Sequence, residues 1–163
     1  MIASDLHLGH SNICKFREGF RDAEHHHQVI YERLKSSIGK RDTLILLGDV
    51  AFTPYWNDKI KEIECTKKVL ILGNHDTDRQ VHLQDLVDTY DEIHALWKAK
   101  GVWFSHAPIH PQELRGKMNV HGHLHTNVVE GDNRYINVCV DHLEDFKPVN
   151  FQELMKGRWR EVN

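Results

Sequence analysis

The chain has 163 residues, 40% of them hydrophobic, and a formal net charge of −3 with its histidines neutral. That suits one domain with a sizeable core and denies the broad basic surface that an extended duplex nucleic acid needs. No apolar stretch is long enough to cross a membrane, the N-terminal apolar residues run straight into Asp5, and Cys14, Cys65 and Cys139 form no C-x-x-C pair; neither a membrane span nor a signal peptide is expected, a thiolate zinc finger is a poor fit, and a cytoplasmic location in a reducing compartment is expected.

In chain order, the apolar Ile2-Ala3-Ser4 leads into Asp5-Leu6-His7, followed by a loop carrying His10 and Asn12. Cys14 reads as a packing residue, and Arg17 and Arg21 as cations available to clasp a phosphate. Ile30, Leu34 and Ile38 at helical spacing predict a helix from Glu24 to Ile38 stopped by Gly39. Its start, His25-His26-His27, points in three directions and is expected to be solvated rather than chelating. Thr43 to Leu47 lacks polar alternation and reads as a strand covered on both faces, ending in Gly48-Asp49. Trp56, Ile60 and Ile63 suggest a second helix; the strand Lys68 to Leu72 then ends in Gly73-Asn74-His75-Asp76, with Asp76 expected to cap the following helix. Arg79 follows, and Leu83, Leu86 and Val87 mark a third, shorter helix. Val102 to Phe104 delivers Ser105-His106; beyond Arg115 and Lys117, Asn119-Val120 leads towards Gly122-His123-Leu124-His125. Arg134 to Val140 reads as a strand, and Asn150 followed by Glu153 as a helix start.

Five apolar runs thus end in polar signatures. In open α/β sheets, buried strands deliver groups at their carboxyl edge, where side chains from separate strands converge. Carboxylates, imidazoles and an amide oxygen suit Mn, Fe, Zn and similar ions better than calcium or magnesium, which take mostly oxygen. Seven candidates, Asp5, His7, Asp49, Asn74, His106, His123 and His125, exceed one tetrahedral site, so two ions sharing a carboxylate is the economical reading.

The ordered set D-x-H, G-D, G-N-H-D, a lone His and G-H-x-H resembles the calcineurin-like metallophosphoesterase superfamily. The stretch Asp5 to Ile13, with His10 and Asn12, looks like its compact bacterial and phage-type branch. The resemblance implies two packed, mainly mixed β-sheets flanked by helices, a β-sandwich with α layers, in a single domain over 1–163 without a cap domain. It also implies one ion on Asp5, His7, Asp49 and His125, and a second on Asp49, Asn74, His106 and His123. Asp49 is the implied bridge, and a hydroxide shared by the ions is the implied nucleophile on phosphorus. Mn is the expected metal, with Fe, Zn or Ni as substitutes. His75 is implied as general acid for the leaving alcohol, with second-shell orientation as the other role open to it.

Many members continue the second block as G-D-x-x-D-R-G; here it reads Gly48-Asp49-Val50-Ala51-Phe52-Thr53-Pro54, without the later Asp and Arg that commonly orient the histidine and bind phosphate. His10, Asn12, Arg17 and Arg115 are the candidate substrate-binding residues. The expected substrate is a small phosphate ester, a nucleotide-like phosphodiester, with a phosphomonoester as the alternative. A non-catalytic metal-binding scaffold is a further reading, disfavoured because His75 and all seven candidate ligands are present.

Overall fold

The computed structural model describes residues 1–156. Strands β1 (Ile2–Ala3), β2 (Thr43–Leu46), β3 (Lys67–Ile71) and β4 (Glu92–His94) form one sheet in that order, every pair parallel. A second sheet pairs β5 (Leu96–Ala99) antiparallel to β6 (Val102–Ser105), then adds β7 (Met118–His121) and β8 (Tyr135–Asn137) in parallel. The two sheets flanked by helices are as expected, and the second sheet is mixed. The first is wholly parallel because each strand returns through a crossover, made by helices α1 (Ala23–Ser36), α2 (Pro54–Lys61) and α3 (Leu83–Val87).

Period-two side-chain alternation splits each strand of the first sheet between two cores. Ile45, Leu47, Val69 and Ile71 pack with Val102, Phe104, Met118, Val120 and Ile136, filling the space between the sheets. Leu44, Leu46 and Leu70 turn the other way, onto Ile30 and Leu34 of α1, Trp56 and Ile60 of α2 and Leu86 of α3. A fully buried Leu, Ile or Phe contributes about 1.5–3 kcal/mol. Helices as short as α3, five residues long, are marginal by themselves, so these layers hold the strand ends in place.

Helix α1 starts where Asp22 accepts the His25 backbone N–H, and it stops at Ser36 rather than Ile38. Ser37 closes it through a hydroxyl bond to the Arg33 carbonyl, while the Gly39 N–H instead binds Asp42. The histidine run departs further from expectation, since His26 and His27 are buried at 0% and 4% exposure. They lie one turn before Ile30 and Tyr31, on the stripe that faces the sheet. Arg17 donates from Nη1 to His26 Nε2 at 2.8 Å. Arginine has only donors, so His26 is neutral with its proton on Nδ1, which it donates to His27 Nδ1 at 3.0 Å.

Burial first, then the Arg17 charge, pulls the His26 pKa from 6.5 down to about 3; burial also lowers His27. A folded pKa below the unfolded one means that the unfolded chain binds the extra proton, so stability is complete above pH 6.5 and is lost as pH falls below it. Between pH 6.5 and about 5.5, above the range in which carboxylates protonate, the urea midpoint is expected to fall steadily. A flat midpoint over that window contradicts the neutral pair.

The expected strand from Arg134 to Val140 is shortened to β8. Cys139 then makes a parallel bridge to Ser4, and the chain turns at Val140–His142. The last helix, α4 (Phe151–Leu154), is capped by Asn150, whose side chain accepts from the Gln152 and Glu153 backbone N–H groups. Residues 157–163 of the expected domain lie outside the described residues. No described helix is long and apolar enough to cross a membrane.

Candidate metal centre

The carboxyl ends of β1, β2, β3, β6 and β7 meet at one edge of the sandwich, and close backbone approaches join them. A Cβ on Gly48 would lie 2.5 Å from the Gly73 Cα, and one on Gly122 only 1.9 Å from Ser4 Oγ, so these turns admit no side chain. Asp5, His7, Asp49, His123 and His125 all have φ between 49° and 70°. This left-handed conformation is costly for non-glycine residues and recurs where surrounding packing imposes a functional geometry.

All seven candidate ligands lie at this edge. Ligand atoms of Asp5, His7 and His125 fall within 4.8 Å of one another, as do those of Asp5, Asp49 and His106. Asp49 Oδ2 lies 4.0 Å from His7 Nε2 and 3.6 Å from His106 Nε2, between the two groups. His106 Nε2 is 2.9 Å from Asn74 Oδ1 and 3.1 Å from His123 Nδ1. The donor set fits divalent cations: Asp5 Oδ1 and both ring nitrogens of His7 are buried without a hydrogen-bond partner, an arrangement costly unless a cation satisfies it. Burial pushes the Asp5 carboxyl up, but neighbouring His7 and His106 and the hydrogen bonds from Cys139 and Ser4 outweigh it and hold it well below the usual carboxylate range.

Several supporting residues were not legible as such. Asp141 binds Arg17 through both oxygens, at 2.8 and 2.7 Å, and its Oδ2 lies 3.2 Å from His125 Nδ1. That hydrogen bond, more than the opposing burial, raises the His125 pKa. Asp141 follows the apolar run Val138-Cys139-Val140, so the strand-end rule could have found it. Cys139 sits 2.9 Å from Asp5 Oδ2; burial, reinforced by the Asp5 charge, pushes its thiol far up, so it stays an S–H donor.

Three expectations are corrected. Arg17 is 4% exposed and cannot clasp a substrate, because its donors go to Asp141, His26 and the Asp5 carbonyl at 3.0 Å. Arg115 is exposed, in a left-handed conformation at the end of the 3₁₀ turn Pro111–Leu114, and its guanidinium lies 3.5 Å from Glu113 rather than on the groove described below. Asp76 caps no helix. It is buried and accepts the Val50 and Gly73 N–H groups at 2.9 and 2.7 Å, supplying partners that those crossing backbones otherwise lack; α3 begins later, capped by His82.

His75 donates its backbone N–H to Asp49 Oδ1 at 2.9 Å, and its ring lies 6.5 Å from that of His7 and 5.6 Å from that of Phe52. Beside this histidine a groove of about 360 Å³ is lined by Gly9, His10, Asn12, Phe52, Thr53 and Arg79, among others. His10 and Asn12 thus border the groove, and Cys14 lies half-buried in the turn that follows.

A sheet edge that gathers carboxylates and imidazoles in this way is suited to hold divalent metal ions. Residues 1–161 match the calcineurin-like phosphoesterase family, and the chain belongs to that family. Among similar proteins, the Gene 66 protein of Mycobacterium phage L5 is 29% identical, with 78% of each chain covered. A protein of unknown function from Aquifex aeolicus has a similar crystal structure, with a TM-score of 0.72 and 27% identity, covering 95% of this chain and 96% of that one. The nuclease MPE of Pseudomonas putida aligns with a TM-score of 0.49 and 22% identity, over 76% of this chain and 60% of that one.

Proposed function

We propose that the protein is a two-metal phosphodiesterase acting on a small nucleotide-like ester in the cytoplasm, with Mn²⁺ preferred and Fe²⁺, Zn²⁺ or Ni²⁺ as substitutes. The observation that carries this reading is the convergence of buried carboxylates and imidazoles with orphaned polar atoms. Asp5, His7 and His125 would hold one ion, Asn74, His106 and His123 the other, and Asp49 both. When bound there, two ions would lower the pKa of water and neutralise charge building on the phosphoryl oxygens. Asp49 keeps its ring-facing oxygen Oδ2 available for this sharing, because Oδ1 is occupied by the His75 N–H. His75 is the general acid, protonating the leaving oxygen from the groove side of the cluster.

Charge supports a diester over a monoester. Beyond the two ions, Arg79 is the one arginine or lysine among the groove residues, Arg17 being turned inward and Arg115 beside Glu113. A singly charged diester suits that lining better, with His10 and Asn12 as uncharged polar contacts.

The test is hydrolysis of a chromogenic phosphodiester beside its phosphomonoester, using chelator-stripped protein with Mn²⁺ restored. Metal-dependent turnover with the diester preferred is the expected result. A monoester preference overturns the diester assignment, and no turnover of either with two ions bound favours the scaffold.

Asp141 supplies a subsidiary prediction. A carboxylate on the far nitrogen of a ligating histidine fixes its orientation and basicity, and removing such a partner weakens metal binding about 10–100-fold. Asp141→Asn should therefore weaken one ion far more than the other in a calorimetric titration. Equal weakening, or none, removes Asp141 from this role.

A further inference from the structure

The second block leaves open what orients His75, since Phe52 and Thr53 stand where a carboxylate and a guanidinium are missing. The loop after β3 brings up both groups. Asp78 Oδ2 lies 2.8 Å from His75 Nδ1, and Arg79 Nε lies 3.3 Å from the other Asp78 oxygen. The Arg79 guanidinium sits over the Phe52 ring, 5.7 Å from its centroid. This loop is tied down at both ends, by Asp76 on the Val50 and Gly73 N–H groups and by the Gln80 N–H on the Phe52 carbonyl at 3.3 Å. These contacts hold the loop backbone that carries Asp78 beside the imidazole.

We infer that Asp78 is the positioning residue for His75, reaching the imidazole from the third block's own loop, three residues on, with Arg79 and Phe52 forming its rear support. The inference rests on His75 acting as general acid. An ionised carboxylate only accepts, so the His75 Nδ1 must carry a proton, and the ring is fixed in both rotation and tautomer with Nε2 turned away from Asp78. During hydrolysis the bond from phosphorus to the leaving oxygen breaks, its electron pair goes to that oxygen, and the oxygen takes the Nε2 proton. Water supplies the new P–O bond and releases one proton to solvent, which in turn restores the Nε2 proton after product leaves. The Nδ1 proton stays on the ring, which ends neutral and hydrogen-bonded to Asp78, so the carboxylate gains nothing and loses nothing. Without Asp78 the neutral ring is free to hold its proton on either nitrogen and to rotate off line.

The experiment compares wild type, Asp78→Asn, His75→Ala and the double variant on an alkyl and a nitrophenyl ester of the same phosphate, and records ¹H–¹⁵N spectra of the Zn²⁺-loaded full chain. A positioned general acid contributes about 10²–10⁴-fold, so Asp78→Asn should lower kcat for the alkyl ester by at least ~10-fold and for the nitrophenyl ester by less than about 3-fold. KM and two-ion content should be unchanged. The variant should add nothing once His75 is alanine, and the His75 signals should move from the Nδ1–H form towards a mixture. Additive losses in the double variant, or an unchanged tautomer, overturn the role of Asp78 while leaving that of His75 intact. If His75→Ala itself slows both esters equally, the general-acid reading fails and this role falls with it.

Discussion

Replacing Asp49 by Asn is expected to lower turnover by at least ~10²–10³-fold, the scale on which loss of one preorganised electrostatic group acts on a transition state. It is also the one substitution expected to weaken both ions together. The Asp49 carboxylate is 2% exposed, and its Oδ2 is the oxygen lying between His7 and His106, while Oδ1 anchors the His75 backbone. An amide keeps the shape but offers one neutral oxygen where two cations need a shared negative charge. Metal content measured after gel filtration, together with turnover of the chromogenic diester, checks this. Near-native turnover with two ions retained contradicts the bridging role.

His75→Ala is expected to act differently, dividing substrates by leaving group and leaving the ions in place. Its ring lies 5.6 Å from that of Phe52, which lines the groove, and it is not part of the cluster of Asp5, Asp49 and His106. A poor leaving alcohol needs a proton as the P–O bond breaks, so its ester should lose about 10²–10⁴-fold in kcat. A nitrophenolate departs without that help and its ester should lose far less. A plot of rate against leaving-group pKa should therefore steepen in the variant. An unchanged slope argues that His75 only orients Asp49.

The blocks were legible because each is local: an apolar run fixes a buried strand, and the polar break beyond it fixes what that strand delivers. Thr43 to Leu47 and Lys68 to Leu72 could be read this way without knowing which strand neighbours which. The pairings behind the ligands were not legible, since Arg17 meets Asp141 at a separation of 124 positions and Cys139 meets Asp5 at 134. Such pairs exist only once β1 and the turn after β8 lie side by side. The buried histidines were within reach of the sequence, because His26, Ile30 and Leu34 share one i, i+4 stripe, as do His27 and Tyr31. Strands β4 and β5 carry little sequence signal for a physical reason. Glu92–His94 is only partly buried and Leu96–Ala99 alternates exposed with half-buried positions, so neither carries the hydrophobic run that marks the central strands.

The most direct test of the account is anomalous diffraction from crystals loaded with Mn²⁺. Two peaks per chain, roughly 3.5–4 Å apart as in two-metal sites, are expected with Asp49 between them, Asp5, His7 and His125 around one, and Asn74, His106 and His123 around the other. A single peak on Asp5, His7 and His125, with Asn74 still hydrogen-bonded to His106, would contradict a two-metal centre.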